Sequence, residues 1–366
     1  MHSTTVAVDL AKNVFELAVA DSEGKIGERL RLNRARFSSF FVHRAPCRVL
    51  MEACGSAHYW ARRIGTHGHT VQLLPAQYVR QYVRRNKTDR ADAAALIEAA
   101  RCADIQTVPA KSLEQQQVLV LHRLRSQWMC TRQRYLNTLR GLLREFGIAV
   151  PLGARLARTR IAHYLAQPPQ ELPAAVRPLL AQMLSGVKQL EQQIEQVERE
   201  LTDLSRTDPV VQQLRQIPGI GLLTSTAIRA TVGDVQRFPC GRRFASWLGL
   251  TPREYSSGER RRLGGISKRG DSYLRTLLVH GARSALLAAH RQQRTGRPLD
   301  HLRQWALQCE QERGHNVATV ALANRLARIV WATWKQEEPS TVIGPARRSD
   351  RRSPSSPQRS CFRSHS

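Results

Sequence analysis

No stretch of this chain approaches the ~18 consecutive apolar residues of a membrane-spanning helix. A charged, apolar, small-residue signal at the N-terminus is also missing, so the sequence is expected to belong to a soluble, cytoplasmic protein with no membrane partner. Acidic residues are scarce: 29 Asp and Glu stand against 57 Lys and Arg in 366 residues, giving a formal net charge of +28. The excess is spread over the whole length, and such a surface attracts a polyanion. Seven cysteines (Cys47, Cys54, Cys102, Cys130, Cys240, Cys309, Cys361) form no Cys-x-x-Cys pair and leave an odd count. Reduced thiols are the simpler expectation, and structural zinc is disfavoured. No His-x-x-x-His with an intervening Glu occurs, and His67 and His69 lie in a Gly-rich turn that reads as loop.

Where acids are this few, the position of each carries weight. Asp9 ends the apolar run Val6-Ala7-Val8 and Glu52 ends Val49-Leu50-Met51. Both runs are short and bulky with polar flanks, as core strands are, so both acids stand at strand ends. Asp89 and Asp92 fall in an Ala-rich stretch of high helix propensity expected to begin near Thr88, and a spacing of three puts both carboxylates on one helix face. Two carboxylates ~4 Å apart repel by about 4 kcal/mol at an effective dielectric constant of about 20, so four converging acids require protonation or a cation. Mg²⁺, with Mn²⁺ as the alternative, suits an all-oxygen donor set. Taken singly, each acid has a structural explanation: Asp89 as a helix cap with Thr88, Asp92 favouring the first turn through the macrodipole, Asp9 pairing with Lys12 or Lys87.

The chain divides on pattern into four segments. Residues 1–110 alternate strand and helix signals: Thr5–Val8, Val14–Val19, Ile26–Leu32, a helix near 34–44, Arg48–Ala53, a helix from His58 and Thr70–Leu74. This is a mixed sheet with helices, in the order of the RNase H-like class. Residues 111–206 form a helical connector. Leu180, Met183, Val187, Leu190, Ile194, Val197, Leu201 and Leu204 step by three and four as a coiled-coil seam, and an earlier helix over Leu113–Phe146 carries its own apolar stripe. The Pro-rich interval from Pro168 to Pro178 permits an antiparallel hairpin of the two, and a parallel intermolecular dimer fits the seam equally well. Residues 207–337 read as helical, making the whole an α/β domain followed by all-α segments. Residues 338–366, rich in Ser, Pro and Arg, have too little apolar content to fold and are expected to be a disordered basic tail.

A second centre of chemistry lies in the helical half. Ile217-Pro218-Gly219-Ile220-Gly221 separates two apolar helical segments and resembles a helix-hairpin-helix phosphate contact through Gly219 and Gly221. Residues 251–273 combine hydroxyl side chains, glycines and six basic residues, with Ser256 and Ser257 ahead of Gly258 in a loop. Serine needs activation to attack a phosphate, and Arg260, Arg261, Arg262, Lys268 and Arg269 are placed to neutralise the pentacovalent species. The plain alternative is an ordinary turn beside a solvated or phosphate-binding basic face.

Val6-Ala7-Val8-Asp9-Leu10-Ala11-Lys12, the run from Met51-Glu52 to Tyr59-Trp60, Lys87-Thr88-Asp89-Arg90-Ala91-Asp92-Ala93, and Ser256-Ser257-Gly258 through Gly265-Ile266-Ser267-Lys268-Arg269-Gly270 strongly resemble the DEDD transposases of bacterial insertion sequences, relatives of the Piv-type DNA invertases. The match runs to about residue 335. This resemblance implies a RuvC-like (RNase H-like) N-terminal domain whose Asp9, Glu52, Asp89 and Asp92 bind Mg²⁺. It implies a C-terminal transposase domain whose Ser257 attacks a DNA phosphate and forms a phosphoserine link, with Ser256 a one-residue alternative. It further implies homodimers pairing into tetramers on DNA and a structured noncoding guide RNA. The function expected is excision and insertion of an insertion sequence. A metal-dependent junction-resolving endonuclease using activated water is the alternative, and a noncatalytic nucleic-acid scaffold is the third.

Overall fold

A computed structural model of the chain describes residues 4–83, 89–258 and 260–336; of Asp89 and Arg90 it describes the backbone alone. The expected helix start at Thr88 and the expected basic tail lie outside the described residues. Two compact units are present. Of the described residues, one holds those up to Gln212 together with Leu222–Arg237, and the other holds Gln213–Gly221 and those from Phe238 to Gln336.

The first unit opens with β1 (Thr5–Leu10), β2 (Val14–Ala20), β3 (Ile26–Asn33), α1 (Arg34–Val42), β4 (Arg48–Glu52), α2 (Ala57–Gly65) and β5 (Thr70–Leu74). The sheet order is β3-β2-β1-β4-β5, antiparallel among β1, β2 and β3, and parallel from β1 to β4 to β5. Tight turns suffice for the antiparallel strands. Asp21 holds one of them, its Oδ1 accepting from the Glu23 and Lys25 amides at 3.0 and 2.9 Å. Parallel neighbours need crossovers, which α1 and α2 supply.

Side-chain alternation splits the sheet residues between two cores. Val6, Val8, Phe15 and Leu17 pack with Phe37, Phe41 and Trp60 on one face, the Phe15 and Phe37 rings stacking at 4.3 Å. Each such buried aromatic contributes about 1.5–3 kcal/mol. Ala7, Ala18, Leu50 and Leu74 point to the other face. There, after α3 (Ala76–Val79), helix α4 (Asp89–Arg101) lays Ala93, Leu96 and Ile97 against them. The small alanines on the strands let this helix seat closely.

Helix α5 (Leu113–Arg144) begins at a capping box, with the Gln115 amide donating to Ser112 Oγ at 3.2 Å and the Ser112 amide donating to Gln115 Oε1 at 2.8 Å. After α6 (Ala154–Ala166), the chain returns through α7 (Arg177–Arg206), which carries Pro in its first turn, where the missing N–H costs nothing. Arg125 pairs with Glu198 at 2.7 Å and Arg132 with Glu191 at 3.9 Å, so numbers ascend on one helix as they descend on the other. The two helices therefore form an antiparallel hairpin within one chain. Leu180, Val187, Ile194, Val197 and Leu201 of the expected seam are buried, with Leu184 taking the core position next to Met183. Helices α8 (Pro209–Leu214) and α9 (Leu222–Val232) follow, and α9 packs on α5 and α7.

The second unit contains α10 (Gly241–Trp247), β6 (Pro252–Glu254), β7 (Leu263–Ile266), α11 (Ser272–Arg294), α12 (His301–Arg313) and α13 (His315–Gln336). Helix α13 is central, packing on α10, α11 and α12 through a face that includes Leu322, Leu326 and Val330. Asp271 and Asp300 cap α11 and α12, each accepting from backbone amides of the first turn. The segment expected to be a loop in a helical domain is instead a β-hairpin.

Candidate functional site

The two strand-end acids stand side by side. The β1–β4 register pairs Val8 with Met51, so Asp9 and Glu52 follow one step later on adjacent parallel strands. Ala7 and Leu50 face α4, and the two-residue period carries Asp9 and Glu52 to that same face. Both acids act on one neighbour: burial first, then the charges of Glu52 and Asp9, push the Cys54 thiol above its usual pKa and keep it neutral. Asp92 lies one turn before the buried Leu96 on α4, the helix that covers this face. Glu52 and Asp92 are half-buried, and neither carboxylate has an ion pair or hydrogen bond among the described residues. The described residues bring no three His, Cys, Asp or Glu side chains close enough to hold a metal ion, and the Asp89 side chain lies outside them. Close by in sequence, His58 takes the Lys111 amide on Nδ1 at 3.2 Å, and burial with the positive charges of Lys111, Arg62 and Arg123 lowers its pKa to about 4.

The serine pair occupies the tip of the second unit's hairpin. Pairing runs on past β6 and β7: the Tyr255 amide donates to the Arg262 carbonyl at 2.9 Å, and Ser257 and Arg260 exchange amide bonds at 3.3 and 3.2 Å. Gly258, at φ +55°, supplies the left-handed turn beyond Ser257. Alternation gives this ribbon two unlike faces. On one, Ser256 Oγ donates to Glu254 Oε1 at 2.7 Å and accepts from the Arg262 amide at 3.2 Å, while Arg261 pairs with Glu254 at 3.4 Å. That face is internally neutralised. On the other stand Tyr255, Ser257, Arg260 and Arg262, all exposed, and none of the last three side chains has a hydrogen bond or ion pair among the described residues.

Comparison with known proteins decides the family. The family profile described as "Transposase IS116/IS110/IS902 family" matches residues 211–296, and a second transposase profile, of the IS110-type DEDD group, matches residues 6–148. A Pseudomonas aeruginosa protein named for family 20 of transposases is 42% identical over 92% of this chain and 98% of its own length. The transposase for insertion sequence element IS1111A of Coxiella burnetii is 37% identical over 91% of this chain and 90% of its own. The transposase for insertion sequence element IS1328 of Yersinia enterocolitica is 36% identical over 91% and 97%. The chain belongs to the IS110/IS116/IS902 family of transposases.

In this transposase the root of the serine hairpin is fixed by backbone packing. Gly249, at φ +72°, has its Cα so close to the Arg269 backbone that any Cβ would collide, and Gly270, at φ +83°, meets the Trp247 carbonyl in the same way. The Lys268 amide donates to the Gly249 carbonyl at 3.1 Å, and Arg275 Nη1 donates to the Leu248 and Arg269 carbonyls at 3.1 and 3.2 Å. Of the turn singled out for phosphate, Gly219 takes φ +88° and packs on α11, where a Cβ would lie 2.7 Å from the Gly281 carbonyl. Its need for glycine is thus accounted for by helix packing. Among the described residues no helix is long and apolar enough to cross a membrane.

The different bonding of the two serine side chains was not read from the sequence. The signal was present in the alternation of Glu254, Ser256 and Tyr255, Ser257 once the segment is written as a strand. As for metal, the half-buried carboxylates of Glu52 and Asp92, which have no cationic partner among the described residues, are oxygen donors of the kind a hard divalent ion takes.

Proposed function

We propose that this transposase cuts and rejoins DNA through Ser257, with Asp9, Glu52, Asp89 and Asp92 holding Mg²⁺ or Mn²⁺. The observation that carries the serine assignment is the division of the hairpin. Ser256 Oγ is bound on both its donor and acceptor sides, whereas Ser257 Oγ is exposed on the face with Arg260 and Arg262. In the reaction, the Ser257 Oγ–P bond forms, the bond from phosphorus to the deoxyribose oxygen breaks, the Oγ proton leaves to a base, and the departing oxygen takes up a proton. Arg260 and Arg262 offset the charge gathering on the phosphate. The link conserves the phosphodiester for the reverse step, so rejoining needs no nucleotide triphosphate. A metal bound at the carboxylates supplies Lewis-acid polarisation of a phosphate and lowers the pKa of a hydroxyl beside it.

Lys268, Arg269 and the Gly219–Gly221 turn are proposed as backbone contacts to DNA, in keeping with the net charge of +28. A RuvC-like classification of the acid-bearing sheet is supported by its mixed strand order with Asp9 and Glu52 on neighbouring strand ends. A structured noncoding guide RNA, dimers pairing into tetramers, and action in the cytoplasm complete the proposal by family likeness. The test is to incubate purified protein with labelled element-end DNA and Mg²⁺ and look for a denaturant-stable protein–DNA adduct. Free DNA ends without any adduct, unchanged in Ser257→Ala, would establish the water-using endonuclease instead.

A further inference from the structure

The second unit contains a cleft of about 1870 Å³ among α10, α12, α13 and the β6–β7 strands. Its walls are largely apolar and aromatic, with Trp305, Trp331, Ile266 and Val320 among them, and among the described residues its charged side chains are Arg242, Arg325 and Arg328, with His301 also on the wall. No Asp or Glu among the described residues lines it. The Arg325 guanidinium lies 4.6 Å over the Trp305 ring, and burial together with the Arg328 charge lowers its pKa from the ordinary value. Thr333, 1% exposed, also lines the cleft, and its Oγ1 has no hydrogen-bond partner. Two cations are therefore brought close together on an apolar wall with no counter-charge among the described residues, an arrangement whose balance calls for an anion from outside.

We infer that this cleft is a binding site for unpaired nucleotides of a single-stranded nucleic-acid segment, bases against the Trp305 and Trp331 walls and phosphates against Arg242, Arg325 and Arg328. Three features select that occupant. A free anion has no use for the apolar walls, while an unstacked base does, through aromatic and guanidinium stacking worth about 1–3 kcal/mol per base. The volume exceeds the roughly 300–1,000 Å³ of small-molecule sites, so a run of several nucleotides fits better than a free one. The arginines on the walls favour a polyanion there over a surface of a second, equally cationic copy. Pro252, Gly264, Gly265 and Ile266 of the serine hairpin form part of the wall, so a strand held here is held beside the ribbon that carries Ser257. The site deepens the proposed function, but strand binding stands without the serine chemistry.

The test uses full-length protein carrying Ser257→Ala, in EDTA, so that no bond is made or broken. Binding of labelled single-stranded DNA, single-stranded RNA and matched duplex is followed by anisotropy, with 2-aminopurine in the single strands to report stacking. Ala321→Trp, which fills the cleft, is expected to weaken single-strand binding about tenfold and to remove the 2-aminopurine quench, with duplex affinity unchanged. Arg325→Gln, which keeps the volume, is expected to weaken it about fivefold and to reduce the salt slope by about 0.7. The DNA and RNA arms show which strand is preferred. Parental single-strand affinity in Arg325→Gln and in a folded Ala321→Trp protein overturns the inference, as does a change of oligomer mass in place of strand affinity, which makes the occupant a second copy. Failure of protein that retains Ser257 to form a covalent adduct, with strand binding intact, sinks only the role of Ser257; normal adduct with indifferent cleft variants sinks only the cleft.

Discussion

The carboxylates of the first unit and the serine of the second stand on opposite kinds of scaffold. Asp9 and Glu52 end adjacent strands whose preceding residues, Val8 and Met51, are fully buried, and each is still paired in the sheet, Asp9 with Glu16 of β2 and Glu52 with Leu74 of β5. Ser257 ends an exposed two-stranded ribbon, whose own strands bury little and whose order derives from its root at Gly249 and Gly270. The difference follows from what the proposed function asks of each group. Like charges have to be held together against their repulsion, which takes a packed core. A nucleophile for a polymer has to reach a phosphate that no enclosed pocket can admit, which takes a projecting tip on a rigid base.

The strongest way to break this contrast is at the tip. Ser257→Ala is expected to lower adduct formation at least about ten-thousandfold, since no other group replaces a nucleophile, while melting temperature and DNA affinity stay at parental values. On the acid side, Asp9→Asn and Glu52→Gln are each expected to cost about a thousandfold in strand cleavage, read on a denaturing gel. Glu52→Gln removes a half-buried charge that has no ion pair among the described residues, so its thermal stability without metal should hold or rise. A fall in stability instead would mean that the carboxylates are structural partners and the comparison is misdrawn.

Much of this contrast was legible in the chain. Val6-Ala7-Val8-Asp9 and Val49-Leu50-Met51-Glu52 announce strands because alternation and burial act over a few residues, and the Asp-x-x-Asp spacing fixes a shared helix face without any tertiary information. The hairpin was not legible as such: Ser256, Ser257, Gly258, Gly264 and Gly265 have no apolar alternation, and the ribbon is held by backbone pairing that leaves no mark on composition. Likewise the glycine of Ile217-Pro218-Gly219 looks the same whether it approaches a phosphate or Gly281, because the partner is 62 residues away in sequence. The helical seam was compatible with partners in one chain or two. The Arg125–Glu198 and Arg132–Glu191 pairs, whose members lie on separate helices, select the antiparallel hairpin.

The root of the ribbon offers a sharper test than its tip. Gly249→Ala forces a Cβ onto the Arg269 backbone at φ +72°, and the expected cost is about 3 kcal/mol, seen as a lower unfolding midpoint in urea. If the midpoint is parental and only adduct formation falls, the root holds the serine without supporting the unit. A smaller effect separates the units by pH. In the first unit His122, 2% exposed and 3.0 Å from Thr226 Oγ1, has its pKa lowered to about 4, by burial first and then by the Arg125 charge. The unfolded chain takes up that proton near pH 6.5 and the folded chain near 4, so the His122 contribution is complete above about pH 6.5 and is lost as pH falls toward 4. Between pH 7 and 5 the loss is about 2 kcal/mol, and His122→Gln should flatten that part of the urea-midpoint profile.

The smallest expected effect bears most directly on the division between the two serines. Ser256→Ala removes a bond to Glu254 and one from the Arg262 amide, both exposed to water, so each is worth about 1 kcal/mol or less. Loosening the ribbon by that amount should slow adduct formation about fivefold without abolishing it. Glu254→Gln keeps an acceptor for Ser256 but releases Arg261 from its ion pair, adding a cation to the neutralised face; DNA affinity should rise modestly at low salt, with adduct rate unchanged. Ser256→Thr, which retains the hydroxyl, should restore most of the parental rate if the bonds matter and the nucleophilicity does not. The opposite pattern, adduct lost in Ser256→Ala and Ser256→Thr but kept in Ser257→Ala, would move the nucleophile to the face that the structure shows closed by its own hydrogen bonds. The ribbon would then have to open before it could react, and adduct formation would rise with any change that weakens the Ser256–Glu254 contact.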